Sequence, residues 1–94
     1  IPEYYVLHNA YPNPFNPLAT INYDLPKDSF VRLDVYDLMG RHIKTLVNEN
    51  LLAGYKSINW NATNNLSQPV SAGLYFYTIQ AGDFIKTKKM VLIK

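Results

Sequence analysis

Leu74-Tyr75-Phe76-Tyr77-Thr78-Ile79-Gln80-Ala81, then Gly82-Asp83, then Phe84-Ile85-Lys86-Thr87-Lys88-Lys89-Met90-Val91-Leu92-Ile93, reads as one long β-hairpin. Its first arm is rich in aromatic and β-branched residues, and Gly82-Asp83 suits a two-residue turn of the primed kind. Tyr75, Tyr77 and Ile79 fall on one face by the period of two, which makes them core, paired across strands. The competing reading makes the tyrosines, of which the chain has eight, a flat platform for sugar rings together with Trp60. On the second arm Phe84, Met90 and Leu92 compete with Ile85, Val91 and Ile93 for the buried face, since a bulge would switch the register.

Upstream, Ala53-Gly54 opens a strand over Tyr55–Asn61 in which Ile58 and Trp60 point inward, and the polar run Asn61–Pro69 is a surface loop. Val31, Leu33 and Val35 alternate with polar residues until Asp37-Leu38-Met39-Gly40-Arg41, and Ile43–Val47 returns, giving a hairpin over residues 30–48. Gly40 suits the left-handed position of a type I turn with a bulge. Ile21, Tyr23 and Leu25 mark another half-buried strand, broken by Pro26-Lys27-Asp28. Four of the six prolines lie in the first seventeen residues. They exclude helix and central strand there, and the Asn-Pro steps predict tight turns in which each Asn bonds nearby backbone. Residues 1–10, with Tyr4, Val6 and Leu7, are read as a linker from a parent protein or a short edge strand, and residues 11–94 as the domain. No helical period persists, so the fold class is all-β, an immunoglobulin-like antiparallel β-sandwich of about seven strands.

Composition agrees. The chain has 94 residues, 48% hydrophobic and 17% charged, which excludes a disordered polyampholyte. It lacks cysteine, so no disulfide or thiolate metal site forms, and redox compartment stays open. A formal net charge of +2 is too balanced to announce a nucleic acid or an anionic membrane, and no apolar run is long enough to insert in a bilayer. The chain begins at Ile1 rather than Met, as expected of an excised domain whose targeting signal and partner domains lie upstream in the same polypeptide.

Chemistry-bearing residues are sparse. His8 lies in the irregular entry segment and His42 directly follows a turn, both places where histidines are solvated; no serine sits in a strained elbow, so no catalytic residue is expected. Asp34 and Asp37 fall on opposite faces of their strand. Asn59, Asn61, Asn64 and Asn65 cluster near Trp60, but amides without carboxylates suit turns better than a hard dication, so neither metal nor cofactor is expected. Lys86, Lys88, Lys89 and Lys94 make the last strand basic on both faces. Two readings fit: protection of a sheet edge, or a surface offered for recognition by strand addition or charge.

Taken in order, Tyr11-Pro12-Asn13-Pro14-Phe15-Asn16-Pro17, Thr20 to Pro26, Val35-Tyr36-Asp37-Leu38-Met39-Gly40-Arg41, Ala53-Gly54, Trp60, Ser71-Ala72-Gly73-Leu74-Tyr75-Phe76-Tyr77 and the closing Lys88-Lys89-Met90-Val91-Leu92 resemble the type A C-terminal sorting domain of the type IX (Por) secretion system. The immunoglobulin-like domain of the flagellar hook-capping protein shares the Tyr-Asp-x-x-Gly-Arg and Gly-x-Tyr-x-Tyr elements. The resemblance implies a non-catalytic domain of a larger secreted or cell-surface protein that passes through the periplasm. It also implies recognition by the type IX machinery and removal by a sortase-like peptidase. By position, Pro12, Asn13 and Pro14 match the family's entry motif, Gly40 and Arg41 its central one, and Gly73, Tyr75 and Lys86 to Lys89 its C-terminal one, with Lys94 at the extreme end. The alternative function is a carbohydrate-binding or spacer module with a glycan as ligand.

Overall fold

A computed structural model describes residues 1–94, and every regular element in it is a strand. The strands are β1 (Val6–Leu7), β2 (Ala19–Leu25), β3 (Ser29–Asp37), β4 (His42–Leu51), β5 (Gly54–Trp60), β6 (Gly73–Ala81) and β7 (Phe84–Leu92). They form two antiparallel sheets, β1-β2-β5 and β4-β3-β6-β7, whose inner faces share one core. The architecture is the immunoglobulin-like sandwich expected from the strand spacing.

Alternation in the sequence translates directly into the layers. Ile21, Tyr23 and Leu25 of β2, Val31, Leu33 and Val35 of β3, and Tyr75, Tyr77 and Ile79 of β6 are all buried between the sheets. The β6–β7 register runs without a shift from Gly73↔Leu92 to Ala81↔Phe84, which settles the last strand. Met90 and Leu92 are buried and Phe84 packs against the core, whereas Ile85 and Ile93 are exposed.

The β3–β4 hairpin is less regular than its sequence suggests. Its turn is as expected: Gly40 has φ +82°, its N–H donates to the Asp37 carbonyl, and the Asp37 N–H donates to the Arg41 carbonyl. Beyond it the pairing steps from Tyr36↔His42 to Val35↔Lys44, and from Asp34↔Thr45 to Leu33↔Val47. Each step leaves an extra residue in β4, Ile43 and Leu46, and both pack against the core. Bulges break strict alternation and re-aim side chains. Here they let Ile43, Leu46 and Val47 all contribute apolar surface while Thr45 stays on the outer face.

The entry segment is tied to the sandwich at distant points. Tyr5 stacks on Phe84 with ring centroids 5.5 Å apart, and its hydroxyl is 2.8 Å from Ser29 Oγ. Leu7, Ala10 and Phe15 are buried. Tyr77 accepts a hydrogen bond from the Ala10 N–H and donates one to the His8 carbonyl, each at 2.8 Å. The peptide bonds preceding Pro12, Pro14 and Pro17 are cis. Phe15 has no accessible surface and fills the end of the core against Trp60, which in turn meets Tyr75 edge-on. Truncating Phe15 to alanine should therefore cost about 3 to 5 kcal/mol in urea unfolding, while Tyr4→Ala, at an exposed ring, should stay within about 0.5 kcal/mol.

Candidate functional site

Three of the sequence motifs meet at one end of the four-stranded sheet. β3 ends there, β6 begins and β7 ends, with Asp37 opposite Tyr75 and Gly73 opposite Leu92. The central motif is held as a rigid turn, since Asp37 Oδ1 accepts the N–H groups of Met39 and Arg41 and Oδ2 takes Arg41 Nε at 2.7 Å. Desolvation pushes the Asp37 carboxyl up, but its bonds from Arg41 and Met39 outweigh this and hold it below the ordinary range. A shallow depression between this turn and Pro69–Tyr75 joins Arg41 to Gly73 and Tyr75. The Tyr75 hydroxyl donates to the Ser71 carbonyl, and burial, followed by the Asp37 charge, raises its pKa.

The entry motif reaches the same end by another route. Asn13 Oδ1 accepts the Val91 N–H at 3.0 Å and its Nδ2 donates to the Lys89 carbonyl at 3.4 Å. The Phe15 N–H donates to the Val91 carbonyl and the Phe15 carbonyl accepts the Ile93 N–H, a parallel bridge onto the edge of β7. The expectation that Asn13 bonds nearby backbone is corrected: its side chain instead serves a strand 78 positions away, because β7 offers free edge groups and the short segment between prolines does not.

The lysines are dispersed along the strand. Lys86 lies opposite Ile79 and Lys88 opposite Tyr77, on the face shared with Met90 and Leu92, whereas Lys89 lies opposite Phe76 on the outer face. Lys86, Lys89 and Lys94 are exposed, and Lys88 is half-buried with its Nζ 3.0 Å from Asn9 Oδ1. Lys94 stands at the motif-bearing end and Lys86 near the opposite hairpin turn.

Both histidines are exposed, as expected, and each also has an acidic partner. His8 Nε2 is 3.0 Å from Asp24 Oδ1 and His42 Nε2 is 2.7 Å from Asp34 Oδ1. Asp34 is 4% exposed although it lies on the outer face, because Arg32, His42 and Thr45 close over it, with Arg32 Nε at 2.7 Å from Oδ2 and Thr45 Oγ1 at 2.8 Å from Oδ1. Sequence spacing could not reveal this cluster, since the β4 bulges bring residues 42 and 45 to the same carboxylate. Burial pushes the Asp34 carboxyl up, but hydrogen bonds from His42, Arg32 and Thr45 hold it below the ordinary carboxylate range.

Thr45 Oγ1 lies 3.1 Å from His42 Nε2, but it donates to Asp34 Oδ1, the same oxygen that His42 Nε2 meets, and the clustered amides are already engaged. The side-chain oxygens of Asn59, Asn61, Asn64 and Asn65 accept bonds from Thr20, Thr63, the N–H groups of Leu66 and Gln68, and the Thr45 N–H respectively. No three His, Asp or Glu side chains converge as metal ligands do. Tyr23, Tyr75 and Tyr77 are buried and Tyr36 is half-buried against His42, so the sugar platform built on these rings is not formed.

Residues 9–94 match the family described as "Secretion system C-terminal sorting domain". The chain belongs to that family. A sorting domain of this kind is the C-terminal signal for type IX secretion, is itself non-catalytic, and directs export across the outer membrane to the cell surface or the medium. Among solved structures, dimeric latent PorU from Porphyromonas gingivalis superposes with a TM-score of 0.70 at 21% identity, over 95% of this chain and 9% of that one. PorZ, an essential surface component of the type IX secretion system of the same organism, superposes with a TM-score of 0.67 at 19% identity, over 94% of this chain and 11% of that one. These likenesses show the fold, and the chain spans only about a tenth of the length of either protein. No curated protein matches the chain.

Asp34 contributes stability above its unfolded pKa, and that contribution is lost as pH falls through its lower folded value. Urea midpoints should thus decline as the domain is acidified below about pH 4. Asp34→Asn should cost about 2 kcal/mol at neutral pH and flatten that part of the profile, while His8→Asn, at an exposed pair, should do neither.

Proposed function

We propose that the export machinery reads this sorting domain at its basic last strand and at the turns beside that strand's C-terminal end. The observation that carries this reading is the convergence of Gly40-Arg41, Gly73-Tyr75 and Pro12-Asn13-Pro14 on one end of the sandwich, next to an edge strand bearing Lys86, Lys88 and Lys89. Arg41, Gly73 and Tyr75 line one depression, and Asn13 and Phe15 reach the adjoining end of β7 from its outer edge. Arg41 stands out from its turn on a backbone fixed by Asp37, and Lys89 and Lys94 stand clear of the core.

The cargo is the remainder of the same polypeptide, with its own activity. The sorting unit includes Val6 and Leu7, since β1 pairs with β2 and Leu7 and Ala10 are in the core. A sortase-like peptidase that removes the domain after export therefore acts upstream of Tyr5, where Glu3 and Tyr4 are exposed.

The test separates recognition from folding. Lys86→Ala, Lys89→Ala and Lys94→Ala combined should leave the urea midpoint nearly unchanged, each within about 0.5 kcal/mol. Fused behind a periplasm-targeted fluorescent protein in a type IX-competent host, the combined variant should retain reporter in the periplasm, as a pore-deficient strain does with the unaltered domain. Normal surface or medium signal from the folded variant would sink this reading.

A further inference from the structure

On the side of β7 away from β6, one half of the strand is partnered and the other half is not. Val91 and Ile93 direct their backbone groups outward, where Asn13 and Phe15 take them, and the Lys89 carbonyl is taken by Asn13. Because the β6–β7 register has no shift, the two-residue period of the ladder makes the remaining outward groups those of Ile85 and Thr87, with the Lys89 N–H. Nothing in the chain bonds them.

The entry segment turns away at this point. Tyr11 exchanges both backbone bonds with Thr20 of β2, and the Ala10 N–H goes to Tyr77. A groove of about 840 Å³ is left, with Tyr11, Pro12 and Asn13 on one wall and Thr87, Lys88 and Lys89 on the other. Its lining holds lysines and no carboxylate. Along the open edge the two faces differ: Lys86 and Lys88 share the face of Met90, while Ile85, 62% exposed, and Thr87 lie on the other.

We propose that the open half of β7 takes an extended segment of a partner protein by strand addition, in continuation of the pairing that Phe15 begins. In that segment acidic residues alternate with apolar or small ones. Backbone bonds to Ile85, Thr87 and Lys89 supply attachment, carboxylates on one face meet Lys86 and Lys88, and the alternate residues cover Ile85 and Thr87. A second copy of β7 is a poor occupant, since it would set lysines against lysines. The inference rests on the reading that β7 is the strand presented during export, and it names the chemistry of what meets it.

The probe is a capped octapeptide of alternating valine and glutamate, titrated into the isotope-labelled chain. The expected result is amide shifts confined to Ile85–Lys89 and the facing wall around Tyr11, weakened by salt. The matching valine-lysine peptide should leave these amides unmoved. Thr87→Pro removes an outward N–H without breaking a bond to β6, so it should weaken binding about tenfold or more. Lys86→Glu with Lys88→Glu should reverse the preference toward the valine-lysine peptide, which keeps the test decisive where the proline variant fails to fold. No shifts at millimolar peptide, shifts scattered over all surface lysines, or charge reversal without a change of preference would each overturn strand addition. Absence of shifts alongside an export defect in the lysine variants would overturn strand addition while leaving the export reading intact.

Discussion

The contact on which the rest of this sandwich depends is made by residues at opposite ends of the chain. Phe15 seals the core beside Trp60 and its backbone closes onto β7, while Tyr77 holds the Ala10 N–H and the His8 carbonyl with one hydroxyl. Two thin sheets of three and four strands offer little interior, so an end left open would expose Trp60, Tyr75 and Leu92 together. A buried tyrosine needs a partner for its hydroxyl, and a segment without regular structure needs partners for its backbone. Each answers the other here. Burial raises the Tyr77 pKa, with the Ala10 N–H opposing that rise.

Asparagine takes backbone groups on both edge strands of the larger sheet. At β7 the Asn13 amide satisfies Val91 and Lys89, and at β4 the Asn65 side-chain oxygen accepts the Thr45 N–H while the Asn65 backbone N–H donates to the Ile43 carbonyl. The Asn13 side-chain amide presents both a donor and an acceptor, so it can end the β7 ladder without adding a strand for another chain to pair with. The lysine-bearing half of β7 stays open, and there charge discourages indiscriminate pairing. A sorting signal has to avoid aggregation and still be recognised, and under the strand addition proposed above the division of β7 into a closed half and a basic open half reconciles these demands.

Legibility followed regularity. Ile21 to Leu25, Val31 to Val35 and Tyr75 to Ile79 alternate without interruption, and the sandwich could be read from them because a pleated strand sends every second side chain to one face. Gly40 announced its turn by a backbone conformation that other residues rarely adopt. The Asp34 cluster was invisible for the converse reason, since two bulges in β4 undo the arithmetic that places residues 34, 42 and 45. The competition between the two apolar sets of the last strand was likewise beyond pattern reading, as both sets alternate equally well and only the register with β6 chooses Met90 and Leu92.

By itself the sequence determined the all-β class, the inward faces of the regular strands, the turns at Gly40 and Gly82, and, through ordered motifs spanning most of the chain, the sorting-domain family. Those properties are local, set by side-chain period, backbone preference and motif order. Only the tertiary structure decided that Asn13 and Phe15 close the end of β7, that the motifs share one end of the sandwich, and that Asp34 lies under Arg32, His42 and Thr45. These depend on hydrogen bonds and packing between residues far apart in the chain, whose pairing is fixed by the crossing of two sheets rather than by any spacing along it.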